Sequence, residues 1–299
     1  MAGTSTLVDI GGRQLSVTNL DKVLYPETGF TKGEVIDYYV RVAPALISHI
    51  ADRCVTFKRY PNGVDDKFFF EKRCPSHRPD WIKTAVGPGD RNGGIDYCVL
   101  DDVPSLAWAG NLAALELHTP MSKSADMDAP TMVVFDLDPG APAGMQQCAD
   151  VGIDIRDTLA NLGLQVFPKT SGSKGLQIYL PLNTPHTTEQ ARAFALAVAQ
   201  MLEKHHPDKV VSSQNKELRR GKVLIDWSQN AHFKTTICAY SLRARPHPTV
   251  STPVTWDEVT AAAEGEPLSF EAPQVLERVA ALGDLFAPTA TLQQRLPTQ

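Results

Sequence analysis

Two aspartates one residue apart close a short apolar segment near the middle of the chain. Residues 131–140 read Thr-Met-Val-Val-Phe-Asp-Leu-Asp-Pro-Gly, so Asp136 and Asp138 stand just before a Pro-Gly pair. A strand over residues 132–137 places both carboxylates on one face, about 7 Å apart along the backbone. Two such carboxylates repel each other unless a cation lies between them, and hard oxygen ligands suit Mg²⁺ or Mn²⁺. The pattern predicts a divalent metal site; a solvated strand end has the same composition.

A third acid follows an apolar run further along the chain. Val223-Leu-Ile-Asp226 comes directly after the basic cluster Arg219-Arg220-Gly-Lys222. A two-metal site needs a third carboxylate from a separate strand, because ions about 4 Å apart share bridging acids across an in-line phosphoryl displacement. Asp226 is therefore a candidate metal ligand. A surface acid paired with a nearby arginine explains the same residues equally well.

The segment Ser171-Gly-Ser-Lys-Gly175 has the composition of a phosphate-binding loop. Its glycines let backbone N–H groups converge on an anion, while its hydroxyl groups and Lys174 add donors and charge. The spacing is not that of the G-x-x-x-x-G-K-[ST] loop, and a strand is predicted to follow. The segment indicates phosphate binding, with a plain turn as the alternative.

Two further groups could assist a phosphate ligand or a base. His118 ends the predicted strand Leu115-Glu-Leu-His118 and could donate to a phosphate oxygen, although strand-end histidines are commonly structural. The run Phe68-Phe69-Phe70 lies between Lys67 and Lys72. An exposed member of that run could stack on a base, whereas buried members would belong to the core.

The elements that must position these groups mix helical and strand patterns. The capping boxes Thr31-x-x-Glu34 and Thr187-x-x-Gln190 predict two long helices. Further helices are predicted over residues 105–114, 151–162, 256–263 and 273–282. Strands are predicted near residues 7–17, 55–60, 115–118, 132–137, 164–167, 176–182 and 223–227. Residues 19–26 are predicted to form a loop or helical turn, and residues 74–94 a loop with one short helix or strand. The mixture indicates an α+β fold without strict β-α-β alternation.

The composition describes a globular protein without a membrane span. The chain has 299 residues, 42% of them hydrophobic, which suffices for one large domain or two moderate ones. We expect no secretory signal and no membrane helix, because no apolar run approaches roughly 18–20 residues. Five dispersed cysteines without a C-x-x-C pair predict reduced thiols, not a disulfide framework or a zinc site. These features together predict a cytoplasmic protein.

Charge is distributed unevenly on a chain whose net charge is −5. Residues 212–247 carry seven basic and two acidic side chains, hence +5, and residues 256–299 carry seven acidic and two basic ones, hence −5. A basic segment on an acidic protein indicates an anionic ligand held locally. Two solvated faces of opposite charge would give the same counts.

Seven motifs in order resemble the polymerase domain of bacterial DNA ligase D, an end-joining enzyme domain of the archaeo-eukaryotic primase superfamily. The resemblance runs from about residue 16 to about residue 259. The motifs are Asn19-Leu-Asp-Lys-Val-Leu-Tyr-Pro26, Lys58-Arg-Tyr-Pro-Asn-Gly-Val64, Phe69-Phe-Glu-Lys72, Phe135-Asp-Leu-Asp-Pro-Gly140, Thr170-Ser-Gly-Ser-Lys-Gly-Leu176, Asp226-Trp-Ser-Gln-Asn230 and Tyr240-Ser-Leu-Arg-Ala-Arg245.

The resemblance implies one primase-polymerase domain over residues 1–299. Its catalytic core, about residues 121–255, would be a mixed or antiparallel sheet flanked by helices. An N-terminal α/β subregion would cover about residues 1–120 and hold a 5′-phosphate pocket. An acidic C-terminal tail would cover about residues 256–299.

The resemblance also implies a reaction and its residues. A DNA-dependent nucleotidyltransferase would add nucleotides, preferentially ribonucleotides, to primer 3′ ends at short gaps or double-strand-break ends. Asp136 and Asp138 would bind two divalent ions, with Mn²⁺ preferred over Mg²⁺, and Asp226 the ion that activates the 3′-hydroxyl. The implied nucleotide-binding residues are Lys58, His118, Ser171, Lys174, Gln229 and Arg243. The 5′-phosphate would be bound by Asn19, Lys22 and Lys32, and template or primer contacts made by Phe69, Phe70 and Arg219.

The implied partners are DNA with a gap or broken end and a 5′-phosphate, nucleoside triphosphates, and ligase, nuclease and Ku-type end-binding proteins. No membrane is implied, and the location would be the cytoplasm, at the nucleoid. A metal-dependent nuclease or phosphodiesterase, which needs no triphosphate-binding loop, and a non-catalytic DNA-end-binding module are the alternatives.

Some residues depart from the family pattern. Tyr60 replaces the usual Trp, residues 119–130 form a short connection, and Asp90-Arg-Asn-Gly-Gly94 is a distinctive version of a loop that helps pair broken ends. The sequence contains neither a ligase lysine-nucleophile motif nor a nuclease segment. It therefore fits either a domain cut from a longer polypeptide or a stand-alone paralogue that fills gaps in excision repair.

Overall fold

The α+β architecture predicted from the sequence is confirmed. The structure is a computed structural model that describes residues 5–89 and 93–297, so residues 90–92 of the expected end-pairing loop lie outside the described residues. Helices alternate irregularly with mainly antiparallel strands. In the described part of the chain, no helix is long and apolar enough to cross a membrane.

The elements are named here in chain order. The strands are β1 (Ser5–Ile10), β2 (Arg13–Thr18), β3 (Val23–Tyr25), β4 (Phe30–Thr31), β5 (Thr56–Arg59), β6 (Phe69–Glu71), β7 (Lys83–Pro88), β8 (Gly94–Val99), β9 (Ala114–Pro120), β10 (Ser122–Lys123), β11 (Asp126–Pro130), β12 (Met132–Pro139), β13 (Phe167–Thr170), β14 (Leu176–Pro181), β15 (Val210–Val211), β16 (Val223–Asp226) and β17 (Thr235–Ile237). The α-helices are α1 (Lys32–Ile50), α2 (Val103–Asn111), α3 (Met145–Ala160), α4 (Thr188–His205), α5 (Trp256–Ala263), α6 (Ala272–Leu282) and α7 (Pro288–Thr291). Short 3₁₀ helices cover Lys216–Arg219 and Trp227–Asn230.

The chain forms two compact units, each assembled from three segments. The first unit contains Met1–Pro120, Ile237–Ser251 and Phe270–Gly283. The second unit contains Met121–Thr236, Thr252–Ser269 and Asp284–Gln299. The C-terminal segment that begins near residue 256 therefore contributes to both units.

The second unit is built around a five-stranded mixed sheet. Its strand order is β13-β14-β12-β16-β15, with β15 parallel to β16 and the other pairs antiparallel. Helix α3 packs on one face, where Gly152 lies against Leu176 and Ile178. Strand side chains alternate between faces, so Gln177 and its register partner Asp136 project to the opposite face. This alternation separates the apolar core from the polar residues.

Two glycines allow backbone segments to approach β12 closely. A Cβ atom on Gly175 would collide with the carbonyl oxygen of Leu137, and a Cβ atom on Gly140 would collide with that of Arg219. Gly140 N–H also donates to Lys222 O at 2.8 Å, which fixes the strand end beside the start of β16. Only glycine fits such approaches without moving the backbone.

The first unit combines a small antiparallel sheet with two packed helices. Strands β9, β5 and β6 lie side by side. The predicted capping box opens α1, where Thr31 Oγ1 accepts from Glu34 N–H at 3.3 Å and the Glu34 carboxylate accepts from Thr31 N–H at 2.7 Å. Helix α2 packs closely on α1, because Gly110 brings its backbone against Ile36.

Three buried tyrosines tie the first unit together through their hydroxyl groups. Tyr39 OH donates to Leu115 O at 2.7 Å, Tyr38 OH donates to Tyr240 O at 2.8 Å, and Tyr25 OH donates to Arg243 O at 3.0 Å. Buried hydroxyl groups are favourable only when they find such acceptors. These bonds fix the backbone of β9 and of the segment that carries Arg243.

Residues 74–94, predicted to form a loop with one short helix or strand, contain the six-residue strand β7, which is part of a longer antiparallel pairing that the prediction missed. Strand β7 pairs with β8 over its whole length, from Lys83 opposite Val99 to Pro88 opposite Gly94. Pro88 and Gly94 stand at the ends of the paired strands, and Pro75 and Pro79 precede β7. Gly87, inside β7, accommodates the ring of Tyr97 on the neighbouring strand. Cross-strand packing thus outweighs the local composition.

Cys74 and Cys98 form a disulfide, which corrects the prediction of reduced cysteines. Cys74 N–H donates to Asp96 O at 2.7 Å, so the chain before β7 runs beside β8. This pairing brings the two Cα atoms to 4.9 Å, within the range that a disulfide spans. Their 24-residue separation gives no motif in the sequence. The remaining cysteines, Cys54, Cys148 and Cys238, are buried and form no disulfide.

The predictions for two short segments also need correction. The strand expected at residues 164–167 begins only at Phe167, because Leu164 N–H donates to Leu159 O and ends helix α3. Such a bond is the mark of a C-terminal helix cap, and Gly163 adopts the positive φ of 75° that this cap requires. Residues 23–25, expected to form a loop or helical turn, pair as β3 with β4.

Replacing Gly175 by alanine tests the close approach to β12. We expect Gly175→Ala to lower the free energy of unfolding by roughly 1–3 kcal/mol, since the new methyl group displaces the Leu137 carbonyl. Gly144→Ala is the control because nothing lies near its added methyl group, and it should cost less than about 1 kcal/mol. Urea unfolding measures both; equal costs would contradict the close approach.

Candidate active site

The three predicted metal-binding aspartates lie on neighbouring strands of the second unit. Asp136 and Asp138 belong to β12, and Asp226 ends β16. The antiparallel register places Asp136 directly opposite Asp226. Opposed residues share a face, with Cβ atoms about 4.5–5.5 Å apart, and Asp138 projects to the same face two residues along. The sheet therefore gathers three acids on one surface.

Asp136 is held in a position that disfavours its charge. Burial, followed by the nearby charge of Asp138, raises the pKa of Asp136 to about 7, although a hydrogen bond from Gln177 opposes the rise. Gln177 lies opposite Asp136 on β14 and donates from Nε2 to Asp136 Oδ1 at 3.0 Å. A divalent cation would stabilise the ionised carboxylates and remove this cost.

Asp226 is surrounded by hydrogen-bond donors. Its Oδ1 accepts from Gln214 Nε2 at 2.8 Å and from Ser228 at 3.0 Å (N–H) and 2.6 Å (Oγ). Its Oδ2 accepts from Gln229 Nε2 at 2.9 Å. The 3₁₀ helix that supplies Ser228 and Gln229 is fixed to β12, because Asn230 exchanges two hydrogen bonds with the Val134 backbone. Gln229, predicted to bind nucleotide, therefore lies beside a predicted metal ligand.

The donor set fits a hard divalent cation, since all three candidates offer carboxylate oxygens. In the described ranges 5–89 and 93–297, no three His, Cys, Asp or Glu side chains converge closely enough to hold a metal as they stand. Asp226 Oδ2 accepts a hydrogen bond from Gln229 and has a second lone pair with which it could bind a cation.

The predicted phosphate loop forms a tight turn between β13 and β14. Ser171 Oγ accepts from Ser173 N–H at 3.3 Å and from Gly175 N–H at 3.1 Å. Gly172 adopts a positive φ of 67°, which helps these N–H groups face inwards. Both N–H groups are thus bonded within the loop, as in a serine turn. Lys174 is exposed at the tip of this loop.

Arg219 lies in the basic segment that the sequence linked to DNA. It ends the 3₁₀ helix Lys216–Arg219, and its Nη2 donates to Gln214 O at 2.7 Å and Gln214 Oε1 at 3.1 Å. Gln214 in turn donates to Asp226. The basic segment is thus joined to the acidic sheet edge by one glutamine side chain.

In the first unit, a buried glutamate gathers three predicted nucleotide-binding residues. Glu116 is only 2% exposed, and its carboxylate lies 2.9 Å from His118 Nε2, 3.3 Å from Arg243 Nε and 3.8 Å from Lys58 Nζ. It also accepts from Ala244 N–H at 3.1 Å. We call Glu116, His118, Arg243 and Lys58 the Glu116 cluster.

The charges of the Glu116 cluster are strongly interdependent. Burial alone would raise the pKa of Glu116, but the His118 hydrogen bond and the charges of Arg243 and Lys58 lower it to about 2. Burial lowers the pKa of His118, and the attraction of Glu116 only partly offsets that effect. The cluster therefore holds a neutral imidazole and two cations around one anion, and keeps a net positive charge for an anionic ligand.

The aromatic run after Lys67 is divided between two faces of the first unit's sheet. Phe70 lies opposite Lys58 in register, and its ring is 6.1 Å from that of His118. Phe69 lies on the other face, where the Arg59 guanidinium is 5.0 Å from its ring. Phe68, whose ring centre is 4.2 Å from Lys58 Nζ, also lies near the cluster. Of the two predicted aromatics, only Phe70 thus accompanies His118.

The residues expected to bind a 5′-phosphate meet at the start of α1. Lys32 is buried, and its Nζ donates to Thr18 O at 2.7 Å. Lys22 Nζ donates to Asn62 Oδ1 at 2.9 Å, and Asn19 turns the chain with a positive φ of 53°. Burial, then the charges of Lys22 and Arg59, lower the pKa of Lys32 to about 8. Clustered cations beside a helix N-terminus suit an anion.

Sequence reasoning missed several residues that contact the predicted site. Glu116 stands two residues before His118 in a strand, and that spacing could have placed both on one face. Gln177, which bonds to Asp136, and Gln214, which bonds to Asp226, gave no signal, because only strand register and loop folding bring them to the acids.

Comparison with known proteins places this chain in a family. Residues 31–286 match the family model described as LigD, primase-polymerase domain. The chain is 46% identical over 282 residues to the multifunctional non-homologous end joining DNA repair protein LigD of Mycobacterium tuberculosis, covering 92% of this chain and 37% of that protein. It is 30% identical over 274 residues to the bifunctional non-homologous end joining protein LigD of Bacillus subtilis, covering 91% of this chain and 44% of that protein.

A solved structure shows the same fold. The polymerase domain from Mycobacterium tuberculosis ligase D, in complex with DNA, is 44% identical and superposes with a TM-score of 0.88. The match covers 94% of this chain and 99% of that domain. The chain spans less than half the length of the curated relatives described above.

The chain belongs to the LigD primase-polymerase domain family. This membership confirms the predicted class, a nucleotidyltransferase of the repair polymerase and primase type. Metal dependence is expected of such an enzyme.

Glu116 should make stability depend on pH. Its pKa of about 2 in the folded chain lies below the ordinary 4.5, so its contribution is present above pH 4.5 and is lost as pH falls towards 2. The full difference corresponds to about 3 kcal/mol. Urea unfolding at a series of pH values should show wild type losing this stability relative to Glu116→Gln.

Glu71→Gln provides the matched control for that measurement. Glu71 pairs with Arg59 at 2.8 Å in the same sheet, but both side chains are partly exposed. Its removal should cost less than about 1 kcal/mol. If the two variants showed the same pH dependence, the cluster would not hold Glu116 as described.

Proposed function

We propose that the chain is a DNA-dependent polymerase that extends primer 3′ ends at short gaps or double-strand-break ends. The observation that carries the proposal is the register pairing of Asp136 with Asp226 in a chain of the LigD primase-polymerase family. Three carboxylates on adjacent strands suit the transfer of a nucleotidyl group, in which a primer hydroxyl displaces pyrophosphate from a nucleoside triphosphate.

We assign two divalent ions, Mn²⁺ in preference to Mg²⁺, to Asp136, Asp138 and Asp226. When bound, such ions neutralise phosphate charge and lower the pKa of the attacking hydroxyl. The raised pKa of Asp136 supports the assignment, because like charges crowd there without a cation. The protein's own contribution is to hold the carboxylates in place through Gln177 and the neighbours of Asp226.

We assign the binding of the nucleotide phosphates to six residues. Ser171, Lys174 and Gln229 belong to the second unit, and the exposure of Lys174 and the position of Gln229 beside Asp226 support this role. Lys58, His118 and Arg243 belong to the first unit, and the net positive charge of the Glu116 cluster supports theirs. A preference for ribonucleotides is part of the proposal.

The two units together would form the single primase-polymerase domain, since the family match at residues 31–286 extends over segments of both.

DNA is the proposed second substrate. The solved polymerase domain with the same fold is in complex with DNA, and this chain matches 99% of that domain. We assign Arg219 and the aromatic residues Phe69 and Phe70 to primer or template contacts, with Phe70 placed beside His118 for stacking. Asn19, Lys22 and Lys32 would bind the 5′-phosphate at the far side of a gap.

The names of the relatives support end joining as the pathway. Ligase, nuclease and Ku-type end-binding proteins are therefore the proposed partners. Whether such activities lie on the same polypeptide or on separate ones, the substrate handed to this chain would be a broken or gapped duplex with a free 3′-hydroxyl.

The carboxylates are tested by primer extension on gapped DNA with Mn²⁺. Asp136→Ala or Asp226→Ala should lower the extension rate at least about 1,000-fold, because the metal ligands are lost, while DNA affinity stays nearly unchanged. Asp128→Ala, which removes an exposed acid on β11, is the control. Wild-type rates in either active-site variant would refute the assignment.

The same assay separates the alternatives for the unmodified chain. Elongation supports a polymerase, shortening of the labelled strand would indicate a nuclease, and a mobility shift without either would indicate an end-binding module. Parallel reactions with ribonucleotides and deoxyribonucleotides measure the sugar preference. A higher kcat/KM for deoxyribonucleotides would contradict the proposed preference.

The proposed 5′-phosphate site should depend on the charge of Lys32. Because its pKa is about 8, the attraction is present below that pH and is lost as pH rises through it. Lys32→Gln should remove both the pH dependence and the preference for 5′-phosphorylated gaps, by roughly 10- to 100-fold in affinity. Binding to gaps with and without the phosphate measures the effect.

Arg41→Gln is the control for charge on the same helix, since Arg41 is exposed and pairs with Asp37 one turn away. It should leave the phosphate preference unchanged. An equal loss on phosphorylated and unphosphorylated gaps for Lys32→Gln would contradict a specific phosphate site.

A further inference from the structure

A row of polar residues crosses the sheet of the second unit. Lys169 on β13 lies opposite Gln177 on β14, Gln177 lies opposite Asp136 on β12, and Asp136 lies opposite Asp226 on β16. Residues paired in this way share one face of a sheet. The row therefore leads from a lysine at one edge to the predicted metal ligands, with one glutamine between.

Lys169 is a buried cation in this row. Only 1% of the residue is exposed, and its Nζ donates to Gln177 Oε1 at 2.5 Å. Burying an ammonium group costs several kcal/mol unless polar partners and opposite charges compensate. The carboxylates on the same face supply that opposite charge, and Lys169 acts electrostatically on Asp136. The burial of Lys169 is therefore coupled to the acids of the metal site.

The orientation of the Gln177 amide is determined by its neighbours. Gln177 is 3% exposed, and its Oε1 accepts from both Lys169 Nζ and Tyr179 OH, the latter at 3.3 Å. The Tyr179 hydroxyl is itself 2.9 Å from Thr236 Oγ1. With two donors on its oxygen, the amide must present its N–H group to Asp136 Oδ1, which it does at 3.0 Å.

We infer that Lys169 and Gln177 are positioning residues for the metal site. Lys169 fixes the Gln177 amide, and that amide holds the Asp136 carboxylate in the orientation that receives a divalent cation. The inference rests on the proposed metal-binding role of Asp136, and it adds two buried residues that act through that carboxylate. Partners behind a metal ligand commonly control affinity for the ion.

Direct Mn²⁺ titration of the folded protein without DNA or nucleotide tests the inference. Lys169→Met and Gln177→Leu keep the side-chain volumes close to those of the wild type. Each should weaken Mn²⁺ binding by roughly 10- to 100-fold, as the free ion measured by electron paramagnetic resonance will show. An unchanged Mn²⁺ affinity in both variants would overturn the inference, even if extension activity fell.

A double-mutant cycle shows whether Lys169 acts through Gln177. If it does, the double variant should bind Mn²⁺ no more weakly than Gln177→Leu alone. The reason is that Gln177→Leu has already removed the hydrogen bond through which Lys169 acts. Additive losses would mean that Lys169 affects the metal site independently of the glutamine, and would overturn the proposed order of action.

Controls separate positioning from general destabilisation. Lys204→Met removes the same charge from the exposed last turn of α4 and should leave Mn²⁺ affinity unchanged. Thermal unfolding confirms that each variant is folded. If Lys169→Met does not fold, Gln177→Asn carries the test, because its shorter amide cannot bridge Lys169 and Asp136. A Mn²⁺ affinity equal to wild type in Gln177→Asn would again overturn the inference.

The outcome can be distinguished from a failure of the proposed function. If the wild type binds Mn²⁺ but extends no primer, the polymerase proposal fails and the titrations still decide the roles of Lys169 and Gln177. If the wild type extends primers and the variants bind Mn²⁺ normally, only the positioning role fails. A wild-type chain that binds no Mn²⁺ overturns both.

Discussion

The second unit has to accommodate carboxylates of like charge that lie opposite one another in its sheet. Asp136 faces Asp226 across β12 and β16, and Asp138 follows on the same face. Opposed like charges destabilise a sheet, and burial adds to the cost at Asp136. Hydrogen bonds to these carboxylates offset that cost. Their amide and hydroxyl donors belong to Gln177, Gln214, Ser228 and Gln229. Close glycine contacts at Gly140 and Gly175 fix the strand ends on which this arrangement relies.

The first unit has the opposite arrangement of charge, with basic side chains around one buried acid. There a single buried acid, Glu116, lies between the cations Lys58 and Arg243, which would otherwise repel each other, and also bonds to His118. Buried tyrosine hydroxyl groups hold the backbone on both sides of this cluster, including the carbonyl of Arg243 itself. One unit thus concentrates negative charge suited to cations, and the other concentrates positive charge suited to phosphates. Nucleotidyl transfer needs both kinds of surface.

Local patterns in the sequence were sufficient for the features that depend on strand alternation and helix capping. They placed Asp136 and Asp138 on one face, and they located α1 and α4 at the capping boxes of Thr31 and Thr187. They failed where contacts between distant segments decide the result. The pairing of β7 with β8 and the Cys74–Cys98 disulfide depend on contacts that no local pattern encodes, whereas strand alternation alone separates Phe69 from Phe70. Lys169 and Gln177 escaped notice for the same reason, since a register of four strands joins them to the acids.

That register has a consequence for how the gene can change. A shift of one residue in β14 or β16 would turn Gln177 or Asp226 to the side covered by α3, whereas a shift of two would keep the face but change the partner. Single-residue insertions or deletions inside these strands should therefore be eliminated by selection more strictly than most substitutions there. An insertion or deletion in a loop between the strands does not change which face the strand residues occupy. Differences in length among related chains should therefore accumulate in the loops.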